Sequence, residues 1–87
     1  MARGKEPARL NFYRDSNQKE IDLVIEKSGT LHPIEIKKSA NPDRSVVKTF
    51  AVLEKAGKPL GGGGIVCMSR EPFPIDRQNC LIPAGLL

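Results

Sequence analysis

Two short stretches carry residue types suited to phosphoryl chemistry: Asp22 and, thirteen positions on, Glu35-Ile36-Lys37. Carboxylate oxygens are what a hard divalent cation such as Mg²⁺ or Mn²⁺ prefers. An ammonium group beside them can orient a water or stabilise negative charge developing on a phosphate. The spacing predicts that these side chains meet. A tight turn at Ser28-Gly29 sets Lys27 opposite Thr30, and directly opposed residues of one hairpin have position numbers with a constant sum, here 57. Asp22 with Glu35, and Glu20 with Lys37, share that sum. A three-residue loop would set Asp22 against Ile34 and mix apolar with charged positions on each face. The two acids are therefore expected as cross-strand neighbours with Cβ atoms about 4.5–5.5 Å apart. Like charges at that distance repel, and a bound cation offsets the repulsion. The same residues also suit a second reading, a solvated outer face of Glu20, Asp22, Glu26, Glu35 and Lys37 in which Lys37 pairs with Glu20.

The elements that must hold these residues are legible from periodicity and turn chemistry. Leu10 to Arg14 reads as a short strand, followed by a turn at Asp15-Ser16-Asn17. Lys19 to Glu26 alternates with period two, placing Ile21, Leu23 and Ile25 on one face and Glu20, Asp22, Val24 and Glu26 on the other. Leu31 to Lys38 forms a third strand, with Ile34 and Ile36 opposite Glu35 and Lys37. Asn41-Pro42-Asp43 predicts a helix start, with Pro at the first helical position. The helix should run to about Ala56 with an apolar stripe of Val46, Val47, Phe50 and Leu53, ended by Gly57 and Pro59. Gly61 to Gly64 reads as a linker into a fourth strand, Ile65 to Met68, apolar on both faces and so expected to be central. After turns at Pro72 and Pro74 comes a last strand, Asn79 to Ile82, placed at an edge because Pro83 ends it. Three meandering strands, a helical crossover and two further strands imply an α/β fold with a mixed sheet, the third and fourth strands being parallel. One helix covers one face. The other face needs a cover, either from a longer parent chain or from a second copy.

Composition narrows the classes. The 87 residues hold one small domain, with residues 1–8 read as a basic arm bearing Arg3 and Lys5 and residues 9–87 as the domain. A formal net charge of +4 permits a nucleic-acid partner without requiring one. Cys67 and Cys80 form no CxxC pair and read as reduced thiols. A single histidine, His32, argues against zinc. No apolar stretch suggests a signal peptide or a membrane span, so the expected compartment is the cytoplasm. Arg44, Lys48 and Lys55, set opposite the apolar stripe at 3.6 residues per turn, either track a phosphate backbone or form a solvated face. Lys38 and Ser39 stand nearer the acids.

Asp22, a hairpin, then Glu35-Ile36-Lys37 resembles the Asp…Glu-X-Lys signature of the PD-(D/E)XK superfamily of nucleases. Over a wider stretch, Phe12-Tyr13-Arg14-Asp15, Lys19 to Val24 and Pro33 to Ala40 resemble a C-terminal domain of unknown function attached to bacterial and archaeal AAA-type ATPases. The likeness runs through the helix and Gly63 to Val66, covering roughly residues 10–83. It implies a restriction-endonuclease-like mixed sheet, βββαββ, truncated so that the N-terminal helix of the core is lacking. It implies that Asp22 and Glu35 bind Mg²⁺, that the backbone carbonyl of Ile36 adds a ligand, and that Lys37 assists the attacking water. Nucleic acid is then the expected substrate, with Lys38, Ser39, Arg44 and Lys48 as candidate contacts, and the N-terminal ATPase part is the expected partner. This chain holds no G-x-x-x-x-G-K-[ST] loop of its own. A catalytically inactive module for DNA binding, docking or dimerisation is the competing expectation.

Overall fold

The computed structural model describes residues 8–86. The arm expected over residues 1–8 lies outside them except for its last residue. The chain forms β1 (Arg9–Arg14), β2 (Glu20–Lys27), β3 (Thr30–Ile36), a crossover helix (Arg44–Ala56), β4 (Gly63–Cys67), β5 (Phe73–Pro74) and β6 (Asn79–Pro83), with a final helical turn at Ala84–Leu86. The strands make one sheet in the order β1-β2-β3-β4-β6-β5. β1, β2 and β3 form an antiparallel meander, β3, β4 and β6 run parallel, and β5 returns antiparallel on β6. This is the expected α/β mixed sheet with one strand more than the sequence suggested. The strand at Asn79 is not at an edge. Phe73–Pro74 pairs along its outer side, and the proline that cannot donate to a ladder, Pro74, takes the true edge.

The β2–β3 register is the one the turn dictates: Lys27 faces Thr30, Val24 faces Pro33 and Leu23 faces Ile34. Ser28 and Gly29 both have positive φ, 54° and 79°, the backbone of a tight hairpin turn whose twist matches the strands. The expected strict alternation along β2 fails at one point. Against β1, Asn11 pairs with Val24 but Tyr13 pairs with Ile21, so Asp22 and Leu23 together oppose Phe12. This β-bulge lets Ile21 and Val24, an odd and an even position, both enter the core under the helix. Phe12 and Tyr13 divide between the faces as expected, Tyr13 against the core and Phe12 74% exposed.

The helix begins two residues later than the proline rule suggests, at Arg44 rather than Pro42. Asp43 is the cap, its carboxylate accepting from the amide and hydroxyl of Ser45, and Pro42 is buried just before it. Gly57, with φ 73°, closes it by donating to the Glu54 carbonyl. The winding is 3₁₀ throughout, a long run for that form. At three residues per turn Val47, Phe50 and Leu53 fall in one row, which packs onto Ile21, Val24 and Leu31. Arg44 belongs to the same row rather than to the outward face expected at 3.6 residues per turn. A second cluster, Ile65, Cys67 and Leu81, sits beneath Val46 and Val47.

The glycine run is more than a linker, since Gly63 and Gly64 are the first two residues of β4. A Cβ on Gly63 would collide with the Pro33 carbonyl, and one on Gly64 with the Cys80 carbonyl. Pro33 brings no N–H to the ladder with β4. The His32 ring supplies a donor instead, Nδ1 lying 2.8 Å from the Gly62 carbonyl oxygen. A Cβ on Gly61 would meet that ring. His32 is thus a structural residue of the sheet. Opposite the helix, Leu10, Phe12 and Ile36 are exposed, and no helix among the described residues covers them.

Phe50→Ala removes the central side chain of the core row and should cost about 3–5 kcal/mol. Gly64→Ala should cost about 1–3 kcal/mol or more although it adds a single methyl group, because the contact it meets is backbone. Denaturant melts of both variants check this. A Gly64→Ala melt matching the parent would refute the close approach of β4 and β6.

Candidate functional site

Glu35 and Lys37 lie on the helix side of the sheet, and Asp22 of β2 bonds to the Glu35 segment of β3. The hairpin register carries Asp22 to the position across from Glu35, and the two residues clasp each other. The Asp22 amide donates to Glu35 Oε1 at 3.1 Å, and the Asp22 carboxylate accepts from the Ile36 amide at 2.9 Å. Each carboxylate therefore holds the strand opposite its own. Lys37 Nζ lies 3.8 Å from Glu35 Oε2. Lys37 is just beyond the end of β3, where its amide donates to the Val66 carbonyl, and its side chain is half exposed.

The polar face is not uniformly solvated. Glu35 is 8% exposed, flanked by the two apolar clusters, while Asp22 and Lys37 remain exposed. Lys37 does not pair with Glu20, which instead meets Arg14 at 3.3 Å on the outer strand pair. Burial raises the Glu35 carboxyl above the ordinary glutamate range. The Asp22 carboxylate reinforces the rise, while the Asp22 amide and Lys37 oppose it. The carboxyl resists ionisation chiefly because it is buried, and only secondarily because of the neighbouring acid.

Among the described residues, no group of three or more His, Cys, Asp or Glu side chains could hold a metal. The donor set is two carboxylates. That suits Mg²⁺ more than zinc, because Mg²⁺ keeps several waters and takes one or two carboxylates from the protein. Ile36 adds to this. Lys37 N–H bonds β4, so in the alternating pattern of a strand the N–H and C=O of Ile36 face β2, the side on which Asp22 takes that N–H. The Ile36 carbonyl thus points toward β2, the strand that carries Asp22.

The remaining sequence candidates scatter. Lys38 and Ser39 are exposed, and Ser39 is held by one local and one long-range bond, its hydroxyl accepting from the Asn41 amide and its carbonyl from the Met68 amide. Lys48 is exposed on the helix and, with Lys37, helps hold the Asp43 carboxyl below its usual range, after the two bonds from Ser45. Asp43 is therefore a neighbour of the site that the sequence offered only as a cap. Arg44 stacks over the Phe73 ring, 4.9 Å from its centroid. That contact links residues 29 positions apart and had no local signal. Cys67 and Cys80 are free thiols.

The fold and the site define an α/β mixed-sheet domain with a carboxylate pair and a lysine where β3 leaves the hairpin for the crossover. All of residues 1–87 match the family described as a domain of unknown function, DUF4143, and the chain belongs to that family. No curated protein and no solved structure matches the chain. Among the described residues no helix is long and apolar enough to cross a membrane.

Because burial raises the Glu35 carboxyl, the fold takes up a proton there more readily than the unfolded chain does. That contribution is complete below the ordinary glutamate value of 4.5 and fades as pH rises through the raised value. Without divalent ions, Glu35→Gln should therefore be more stable than the parent at pH 7–8, with the advantage vanishing near pH 4. Chemical melts across that range test it. A difference independent of pH would mean that Glu35 is not held in this environment.

Proposed function

We propose that this chain is a PD-(D/E)XK-type nuclease-like module, a metal-dependent phosphodiesterase acting on nucleic acid and the C-terminal part of an ATPase. The observation that carries the reading is the mutual clasp of Asp22 and Glu35 with Lys37 beside them. Two carboxylates held close by backbone bonds, one of them buried and resisting ionisation, are an arrangement that a hard cation relieves. The Mg²⁺ or Mn²⁺ so held would supply charge neutralisation at the scissile phosphate and a more acidic bound water. Asp22 and Glu35 would hold the ion, with the Ile36 carbonyl as a further oxygen. Lys37, half exposed just past the end of β3, would orient the attacking water and stabilise charge on the phosphate. Lys38 and Ser39 would meet the adjacent backbone, and Lys48 would add positive charge from the helix.

The uncovered sheet face favours a second reading. Leu10, Phe12 and Ile36 expose large apolar surface opposite the site. A fold retained for docking, to the ATPase part or to a second copy, would use that face and would need no chemistry at Asp22.

Manganese titration followed by calorimetry separates the two. Saturable binding in the parent, lost in both Asp22→Ala and Glu35→Ala, is the expected result. Lys37→Ala should keep the ion but lower cleavage of DNA or RNA by about 10²-fold or more. Absence of saturable binding, or cleavage indifferent to Lys37, would remove the nuclease reading and leave the docking one.

A further inference from the structure

The strand register places a second feature in line with Glu35. Glu35, bonded to the Asp22 amide, pairs with Ile65, Ile65 with Leu81, and Leu81 with Phe73. Paired residues share a face. One lateral row therefore crosses the helix side of the sheet from Glu35 to the edge strand. At about 4.8 Å per strand, Phe73 lies roughly 14 Å from Glu35. The middle of the row, Ile65 and Leu81, is roofed by Val46 and Val47 of the helix. Both ends are open. At the far end Phe73 is 52% exposed, and Arg44, itself exposed at the first turn of the helix, lies over its ring. The start of the helix thus spans the two ends, with Arg44 at the aromatic and Asp43 within electrostatic reach of Lys37.

We infer that Arg44 and Phe73 form a stacking subsite for an unpaired base of a single-stranded nucleic acid whose backbone reaches the Asp22–Glu35 site. This rests on the nucleic-acid reading above. An exposed phenyl ring with a planar guanidinium offers what a base requires, a flat apolar surface backed by positive charge. Every base has such a face, so the subsite is tolerant of sequence. It demands a base free of its duplex partner, because a paired base buries its faces against its neighbours. The negative charge of Asp43 beside the path is shared with Ser45 and opposed by Lys48 and Lys37. A strand running from the acids to Phe73 skirts the helix start, where Lys37 and Lys48 lie within electrostatic reach of that carboxylate. A surface cation–π pair serving only to pin β5 to the helix would look similar at rest. The two roles part when a base is removed.

The test uses labelled single-stranded oligonucleotides and fluorescence anisotropy in chelator, where no divalent ion is present and cleavage does not intervene. One abasic site is walked along the strand. At one or two positions, loss of the base should weaken binding to the parent chain by about 5- to 150-fold. Phe73→Ala should show that weaker affinity with the intact strand and no dependence on abasic position. Phe73→Trp should restore both. Phe73→Leu, which keeps apolar bulk against β6, should behave like Phe73→Ala although folded. Arg44→Lys keeps the charge without the plane and should weaken binding to the intact strand more than to the abasic one. A flat scan in the parent, or Phe73→Leu retaining its affinity and profile, overturns the inference. A position-dependent scan in a protein that binds no manganese would sink the nuclease reading alone. Manganese-dependent cleavage with a flat scan would sink the stacking subsite alone.

Discussion

The site depends on one constraint, the register imposed by the two-residue turn at Ser28-Gly29. A tight turn with both residues at positive φ leaves no slack in the pairing of β2 with β3. Asp22 and Glu35 are carried to opposed positions at the far end of that hairpin, beyond the last regular pair, Leu23 with Ile34. There the ladder gives way to side-chain bonds: the Asp22 amide to Glu35 and the Ile36 amide to Asp22. The carboxylates thus take over the work of strand pairing where the two strands begin to part, and in doing so fix each other's position. A register slip of one residue would send one acid to the bare face and the other under the helix.

A bulge and a glycine run adapt the rest of the sheet to that arrangement. Without the bulge opposite Phe12, strict alternation would send Ile21 to the face away from the helix. With it, Ile21 joins Val24 beneath Phe50 and Leu53, and the apolar floor extends up to the edge of the site. Gly63 and Gly64 let β4 lie close between β3 and β6, bringing Ile65 beside Glu35 and thereby drying one side of that carboxylate. The raised ionisation range of Glu35 is a consequence of packing against the strand next to the hairpin.

Much of this was legible in the residues because the signals were local. The Ser28-Gly29 turn, the alternation of β3, the Phe50 and Leu53 row and the Gly57 stop each need only neighbours a few positions apart. What escaped involved partners distant along the chain. Asn79 to Ile82 looked like an edge because of Pro83. The two-residue strand Phe73–Pro74 is too short for any periodicity to reveal, yet it occupies the edge. The bulge is a relation between β1 and β2, visible in neither strand alone. His32 is explained only by the donor that Pro33 lacks beside Gly62, thirty residues away.

Legible from the residues alone were the β2–β3 register that brings Asp22 near Glu35, the place of Lys37 beside Glu35 and the helical crossover to a parallel strand. Side-chain period and turn length settle those, since both are properties of consecutive residues. The tertiary structure alone decided which face of the hairpin lies under the helix, and so that Glu35 is buried while Ile36 faces outward. It alone set Arg44 over Phe73 at the end of the same row. Both follow from how the helix packs across the sheet, and a packing direction is a property of surfaces that meet only once the chain has folded.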